Sequence, residues 1–207
     1  MVFTQTVDYT WNGKQRDDLH GNHKPVTFIL EYDSAKEELI IKVQAPFFDD
    51  CPIPPSKGET GYGTYELWNY EVAEIFIEGK DSHYTEVELS PFGNFLILTF
   101  EAPRKATNDD VCLPTPPSTD ITDGHWTSTL RLPRRFLPAP MGDSKSMFSF
   151  NCYHIHGQGE NRRYYAAFPD TDTEEKAGPD FHRLQYFQEL PDDAVFGQAE
   201  GVKQLRA

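Results

Sequence analysis

The sequence predicts an all-β protein, an antiparallel β-sandwich with one or two short helical turns. Three observations support this fold class. Short segments alternate apolar and polar residues, 14 glycines and 16 prolines mark many turns, and no segment combines the apolar spacing and capping residues of a long amphipathic helix. The length of 207 residues suits one domain, so we expect a single sandwich over 1–207 whose last few residues form a tail.

The strands in the first half of the chain follow from periodicity. In 26–32 and 39–45, apolar side chains recur at every second position, which gives each segment one face for a core. The stretch 84–90 alternates in the same way and is followed by the turn sequence SPFG. Residues 94–101 contain FLILTF, which is apolar throughout. This pair predicts a hairpin whose second strand is buried on both faces.

The second half of the chain contains three more predicted strands, at 125–132, 147–155 and 162–168. The sequence PRRFLP, between the first two, predicts one helical turn, and we expect a second short helical segment near 182–189. Polar, proline-rich segments are predicted to be loops: 49–64, 102–124, 138–146 and 169–180.

Charge and cysteine usage restrict the partners and the compartment. Acidic residues outnumber basic ones 33 to 19, and a net charge of −14 repels phosphate backbones and anionic membrane surfaces. We therefore expect neither nucleic acid nor a membrane as a partner. Cys51, Cys112 and Cys152 form no CxxC pair, and the N-terminus has no basic or apolar leader. These features predict a cytoplasmic protein without a disulfide framework or zinc ribbon.

Residues 65–79, YELWNYEVAEIFIEG, are predicted to form a strand with carboxylates among its apolar side chains. With a period of two, Trp68, Tyr70 and Glu74 share one face, whereas Glu71 lies on the other. A carboxylate among apolar residues needs a hydrogen-bonding partner, an opposite charge or a ligand. The stretch is therefore a candidate binding site.

Six motifs occur in the order found in a known group of β-sandwiches. They are Trp68–Glu71–Glu74; Tyr84, Glu86, Ser90, Pro91 and Gly93; Trp126 with Leu132–Pro133; Phe150–Asn151; Tyr165–Ala166 with Pro169; and Asp180–Phe181–His182. In this order they resemble the family 9 carbohydrate-binding module-like domains, which are related to DOMON-like domains. APFF, ELWNYEV, IHG and PDFHRLQYF also resemble an uncharacterised eukaryotic family of roughly 200-residue proteins, over nearly the whole chain.

The resemblance implies a stand-alone, non-catalytic binding module for a small glycan or sugar-like ligand. Secreted members of the group hold a terminal sugar with a Trp and a Glu six residues apart, and Trp68 and Glu74 match those positions. Trp68 would be a platform for the apolar face of the ring, and Glu74 and Glu71 would bond its hydroxyls. The expected rim of the site comprises Tyr70, His156 and Arg163.

This chain departs from the group's pattern in three places. Glu71 stands where the bacterial pattern usually has Asp. The loop 169–180 lacks the second Trp that closes the site in the secreted sugar binders. The middle of the 84–90 strand carries Glu86 and Glu88 where a basic residue is expected. A one-sided platform of this kind would bind a simple sugar weakly.

A second hypothesis is an intracellular protein–protein interaction domain that binds no ligand. Trp68 then belongs to the core, because a large aromatic residue on a strand buries much apolar area. Glu74 would pair with Arg162 or Arg163. An exposed Trp68 would favour the binding module over this alternative.

A third hypothesis is a hydrolytic or metal-dependent enzyme. Glu86 and Glu88 share a strand face, and glycoside hydrolysis uses two carboxylates, although such pairs are also common on solvated faces. His154 and His156 are weak candidate metal ligands, with His182 as a third.

Other features of the sequence argue against that third class. Histidines at a strand end that hydrogen-bond a loop are the simpler interpretation of this pattern. Cys152 could be a further metal ligand or a nucleophile beside His154, but no orienting third residue is identifiable. GETGYG lacks the lysine and the following helix of a phosphate-binding loop. The sequence therefore predicts no metal or other cofactor.

Overall fold

The computed structural model describes residues 2–16, 24–48, 50–55, 61–108, 111–142, 146–172 and 178–197. These ranges contain thirteen strands and a short helix α1 (Asp192–Val195). The strands are β1 (Phe3–Val7), β2 (Tyr9–Thr10), β3 (Val26–Asp33), β4 (Glu38–Pro46), β5 (Val72–Glu78), β6 (Tyr84–Leu89), β7 (Phe95–Ala102), β8 (Lys105–Ala106), β9 (Ser118–Thr122), β10 (His125–Pro133), β11 (Ser149–His156), β12 (Arg163–Ala166) and β13 (Gln188–Glu189).

The strands form two antiparallel sheets. Sheet A has the order β1-β3-β4-β10-β9, and sheet B has the order β2-β12-β11-β5-β6-β7-β8, with β13 also paired to β11. In sheet B, β5 lies between β11 and β6, so Glu74 is opposite Tyr153 on one side and Glu88 on the other. Among the described residues, no helix has the length and apolar composition needed to cross a bilayer.

The inner faces of the two sheets pack around an apolar core. Phe28 of β3 and Ile41 of β4, which the alternation predicted to be apolar core residues, are fully buried. Trp126 of β10 lies in the same cluster, which sheet B completes with residues such as Ile75 and Ile97. The predicted all-β sandwich is confirmed.

Sheet B also buries its outer face. A second apolar cluster there contains Phe76, Tyr84 and Leu98. The segments that precede β5 and β13 cover it: Leu67 is fully buried in the cluster, and Phe181 packs against it. The prediction that FLILTF is buried on both faces is confirmed, because nearly every residue of that stretch in β7 is buried. This second covered face holds the candidate site.

The predicted strand at 65–79 is correct only from Val72 onward. Leu67–Asn69 forms a 3-10 helix instead, preceded by Glu66 in the left-handed conformation. Backbone hydrogen bonds from Asn69 to Glu66 and from Tyr70 to Leu67 close the turn. The Arg162 guanidinium donates to the carbonyls of Trp68 and Asn69, so these groups are satisfied without a strand ladder.

The other helical predictions are confirmed as 3-10 turns, at Arg134–Phe136 and Leu184–Tyr186. The predicted loop at 102–124 is only partly a loop, because it contains β8 and β9. The strand β9 has the sequence STDIT and is mostly exposed, so no apolar alternation marks it.

Candidate functional site

A cavity of about 520 Å³ lies on the outer face of sheet B. The sheet contributes Glu74, Phe76, Glu86, Leu98, Phe100, Ile155 and Tyr164. The covering segments contribute Tyr65, Trp68 and Asn69 from one stretch and Pro179–His182 from another. The remaining lining residues are Arg104, Ala106, Asn108 and Arg162. Its size falls in the range of small-molecule sites, and aromatic and charged side chains share its lining.

The position of Trp68 depends on Arg162. The Arg162 Nη1 atom lies 3.0 Å from the Asn69 carbonyl oxygen, its Nη2 donates to the Trp68 carbonyl, and its Nε lies 2.8 Å from the Tyr164 hydroxyl. Trp68 stays half-buried, and its indole packs against the Tyr65 ring in a T-shaped arrangement with the ring centroids 5.4 Å apart. The indole is therefore an anchored aromatic surface on the cavity wall.

Glu74 is almost fully buried behind this wall, with 1% of its surface exposed. Its Oε1 has no hydrogen-bond partner among the described residues. Burial raises the pKa of Glu74 well above its usual value, the neighbouring Glu86 raises that pKa further, and the positive charge of Arg162 lowers it.

Glu86 and Glu88 of β6 project from the same face as Glu74, and oxygen atoms of the three carboxyl groups lie within 4.8 Å of one another. Burial raises the pKa of Glu86 to about 7. Burial also raises the pKa of Glu88, and the negative charges of Glu74 and Glu86 raise that pKa further. The sequence indicated that Glu86 and Glu88 share a face, and the register of β5 and β6 adds Glu74.

Glu71 does not line the cavity, so the expectation that it acts beside Glu74 on one ligand needs correction. It is buried on the side of sheet B that faces the core, where its Oε1 accepts a hydrogen bond from Trp126 Nε1 at 3.0 Å. The same oxygen lies 3.8 Å from His154 Nε2. Burial raises the pKa of Glu71 to about 7.

The three expected rim residues also lie outside the cavity lining. His156 is buried toward the core and stacks on Phe48 with ring centroids 4.0 Å apart. Tyr70 is half-buried against the outer apolar cluster. Arg163 is exposed and donates to the carbonyls of Glu160 and Arg162, so its neighbour Arg162 is the arginine that reaches the cavity.

The three candidate metal-binding histidines do not converge. His154 and His156 are neighbours, with ring centroids 5.3 Å apart on the core-facing side of β11. His182 lies on the other side of sheet B, where its Nδ1 is 2.8 Å from the Tyr84 hydroxyl and burial lowers its pKa to about 4. Cys152 is buried, which raises the pKa of its thiol and makes it a poor nucleophile.

The structure adds residues that sequence reasoning did not assign to the site. Arg104 forms an ion pair with Asp180 at 2.7 Å, and both line the cavity. Phe181 stacks on Tyr153 with centroids 4.0 Å apart. The Asp-Phe-His motif was a signal for Asp180 and Phe181, whereas nothing local in the sequence marked Arg104.

Comparisons with known proteins identify the family of the chain and a solved structure with a similar fold. No family model matches the chain. The crystal structure of a "putative carbohydrate-binding protein" from Bacteroides uniformis aligns with a TM-score of 0.58 and 13% identity, over 90% of this chain and 84% of that one. At such low identity the alignment shows a shared fold.

Two relatives show the family directly. The UPF0462 protein C4orf33 homolog of Danio rerio is 34% identical over 195 residues, which cover 93% of this chain and 90% of that protein. The UPF0462 protein C4orf33 of Homo sapiens is 31% identical over 195 residues, with 93% and 89% covered. Sharing about a third of its residues with these proteins over almost its whole length, the chain belongs to the UPF0462 family of C4orf33 homologues.

Proposed function

We propose that the protein is a non-catalytic binding module whose outer-face cavity holds a small carbohydrate or a similar polyhydroxylated ligand. One observation carries the proposal: the half-buried Trp68 and the buried Glu74 line the same cavity of about 520 Å³. The shared fold with the "putative carbohydrate-binding protein" of Bacteroides uniformis supports the same class of ligand.

Two kinds of contact in this cavity suit a sugar. An indole covers the apolar C–H face of a sugar ring, which removes apolar surface from water. The Glu74 Oε1 lacks a protein partner among the described residues and can bond a hydroxyl group. A hydroxyl both donates and accepts, so it suits this carboxyl group in either protonation state. Tyr65 and Asn69, on the same covering segment, extend the wall.

The geometry disfavours a purely structural role for these residues. A core Trp68 would be fully buried, whereas it retains partial exposure. Arg162 would pair with the Glu74 carboxylate, whereas in the described structure its hydrogen bonds go to backbone carbonyls and to the Tyr164 hydroxyl. The arginine thus supports the aromatic wall and donates no hydrogen bond to the buried Glu74 carboxyl group.

The test is calorimetric titration with glucose, galactose, mannose, xylose, N-acetylglucosamine and cellobiose at millimolar concentrations, in the presence of EDTA. We expect saturable binding of at least one sugar. Trp68→Ala should weaken it roughly tenfold, since losing the stacked apolar area costs on the order of 1–2 kcal/mol. Trp11→Ala is the matched control, because Trp11 is also half-buried and lies outside the cavity lining.

Two results would overturn the proposal. One is the absence of binding for every sugar of the panel. The other is an affinity that Trp68→Ala and Trp11→Ala change equally, with both variants folded by circular dichroism.

A further inference from the structure

The three carboxyl groups at the inner side of the cavity form a cluster that makes no salt bridge with a lysine or arginine among the described residues. Glu74, Glu86 and Glu88 are 1%, 5% and 0% exposed. Glu74 and Glu88 are register partners on neighbouring strands, and Glu86 is two residues from Glu88 on the same face. Their oxygen atoms lie within 4.8 Å of one another.

Most of the oxygens in this cluster lack a partner outside it. Both carboxyl oxygens of Glu88, one of Glu74 and one of Glu86 accept no hydrogen bond from other described residues, and within the cluster the Glu86 and Glu88 carboxyl groups hydrogen-bond each other. A buried carboxylate normally has a hydrogen-bonded cation or several donors, because its desolvation costs several kcal/mol otherwise. Arg162 attracts Glu74 electrostatically but donates its N–H groups elsewhere. The orphaned oxygens therefore point to a ligand that supplies positive charge.

We propose that Glu74, Glu86 and Glu88 bind one hard divalent cation, with Ca²⁺ preferred. Oxygen-only ligands favour Ca²⁺, Mn²⁺ or Mg²⁺ over the metals that select sulfur or imidazole. Ca²⁺ takes six to eight oxygen ligands at about 2.3–2.6 Å, whereas Mg²⁺ requires nearly ideal octahedral geometry at roughly 2.0–2.1 Å. Ca²⁺ also tolerates irregular coordination, which three side chains on rigid strands impose.

The ion would lie at the boundary between the sheet and the cavity. Glu74 and Glu86 line the cavity, whereas Glu88 does not. Three carboxyl groups leave several coordination positions of a Ca²⁺ ion for water or for ligand oxygens on the cavity side. Cation binding by the cluster does not depend on the proposed sugar site, although a bound ion would offer sugar hydroxyls a further contact.

Protons compete with the cation for the same oxygens. A cation binds the ionised form of a carboxyl group, so binding of the ion should strengthen as the pH rises. Other titratable or charged groups near the cluster are Tyr84, Tyr153, Arg104, Arg162, Asp180 and His182. If protons released on binding come from the cluster, a variant that lacks one of the three glutamates should release fewer protons than the unmodified protein.

The proposal is tested on the full chain after treatment with EDTA and its removal. Calorimetric titrations with CaCl₂, MnCl₂ and MgCl₂ at about pH 7.5, without sugar, should give one saturable site per chain, with proton release measured by comparing buffers. Glu88→Gln should weaken binding at least tenfold, since it removes one charged ligand of nearly unchanged shape. Glu160→Gln is the control, because Glu160 is exposed and lies outside the cluster.

Glu86→Gln serves as a second variant if Glu88→Gln does not fold. No saturable binding of any of the three ions up to about 10 mM would overturn the proposal. Binding that Glu88→Gln and Glu160→Gln leave equally unchanged would also overturn it. Because these titrations contain no sugar and the sugar titrations contain EDTA, either proposal can fail without the other.

Discussion

Replacing Glu86 with Gln should change how the stability of the protein depends on pH. Glu86 is 5% exposed, and burial raises its pKa from the usual 4.5 to about 7. A carboxyl group with a raised pKa holds its proton more tightly in the folded chain than in the unfolded one. Its stabilising contribution is complete below pH 4.5 and is lost as the pH rises to about 7. Gln keeps the shape of the protonated side chain and does not titrate.

The size of the effect follows from the two pKa values. The interval from 4.5 to about 7, at roughly 1.4 kcal/mol per pH unit, corresponds to about 3 kcal/mol. The difference in unfolding free energy between Glu86→Gln and the unmodified protein should therefore move by about 3 kcal/mol in favour of the variant between pH 4.5 and pH 8. The Glu86 charge also raises the pKa values of Glu74 and Glu88, so its removal makes their ionisation easier and adds to this change.

Urea unfolding at five pH values between 4.5 and 8, followed by circular dichroism, measures this difference. EDTA is present throughout, so that no cation replaces the protons. Glu160→Gln, an exposed glutamate outside the cluster, should show a nearly constant difference. A Glu86→Gln difference that stays within about 0.5 kcal/mol over the whole range, or moves toward the unmodified protein, would refute the reasoning.

Two further predictions concern the core side of sheet B and one tight contact. In a double-mutant cycle of the unfolding free energy, Trp126→Phe and Glu71→Gln should show a coupling of about 1–2 kcal/mol at pH 8, because Trp126 Nε1 then donates to an ionised carboxylate. The coupling should be smaller at pH 5, which is below the Glu71 pKa of about 7. Equal coupling at both pH values would contradict this. Gly79→Ala should lower the unfolding free energy by about 1–3 kcal/mol, since a Cβ there would lie 2.1 Å from a backbone carbonyl oxygen. Gly142→Ala should change it little, because no described residue other than its chain neighbours lies within 4 Å of the added Cβ. Similar urea midpoints for the two glycine variants would show that the contact is not restrictive.

The strands that build the core could be predicted because the core itself imposes their pattern. Phe28 and Ile41 are buried and alternate with partly exposed residues, so periodicity revealed β3 and β4. The strand β9 escaped prediction for the opposite reason. It is a mostly exposed edge strand held by its pairing with β10, and exposure requires no apolar residues.

The site could be predicted only in part, because contacts between distant residues complete it. Trp68 and Glu74 were proposed as site residues because they match the Trp and Glu of the family 9 carbohydrate-binding module-like domains. The 3-10 helix at Leu67–Asn69 is hydrogen-bonded by Arg162, which is 94 positions from Trp68, and no local pattern encodes that contact. Likewise, the alternation in β6 placed Glu86 and Glu88 on one face, but only the register with β5 brings Glu74 opposite them.

The short outermost strands of the sandwich affect how the protein behaves at high concentration. Sheet B ends in two-residue strands on both sides, β2 and β8, which present few unpaired amide groups. One edge of sheet A is β9, which carries Asp120 and exposed polar residues. Long, apolar edges recruit strands from other chains and start aggregates, and edges that are short or charged prevent this. We therefore expect the segment that the apolar pattern failed to reveal to disfavour the addition of strands from other copies of the chain.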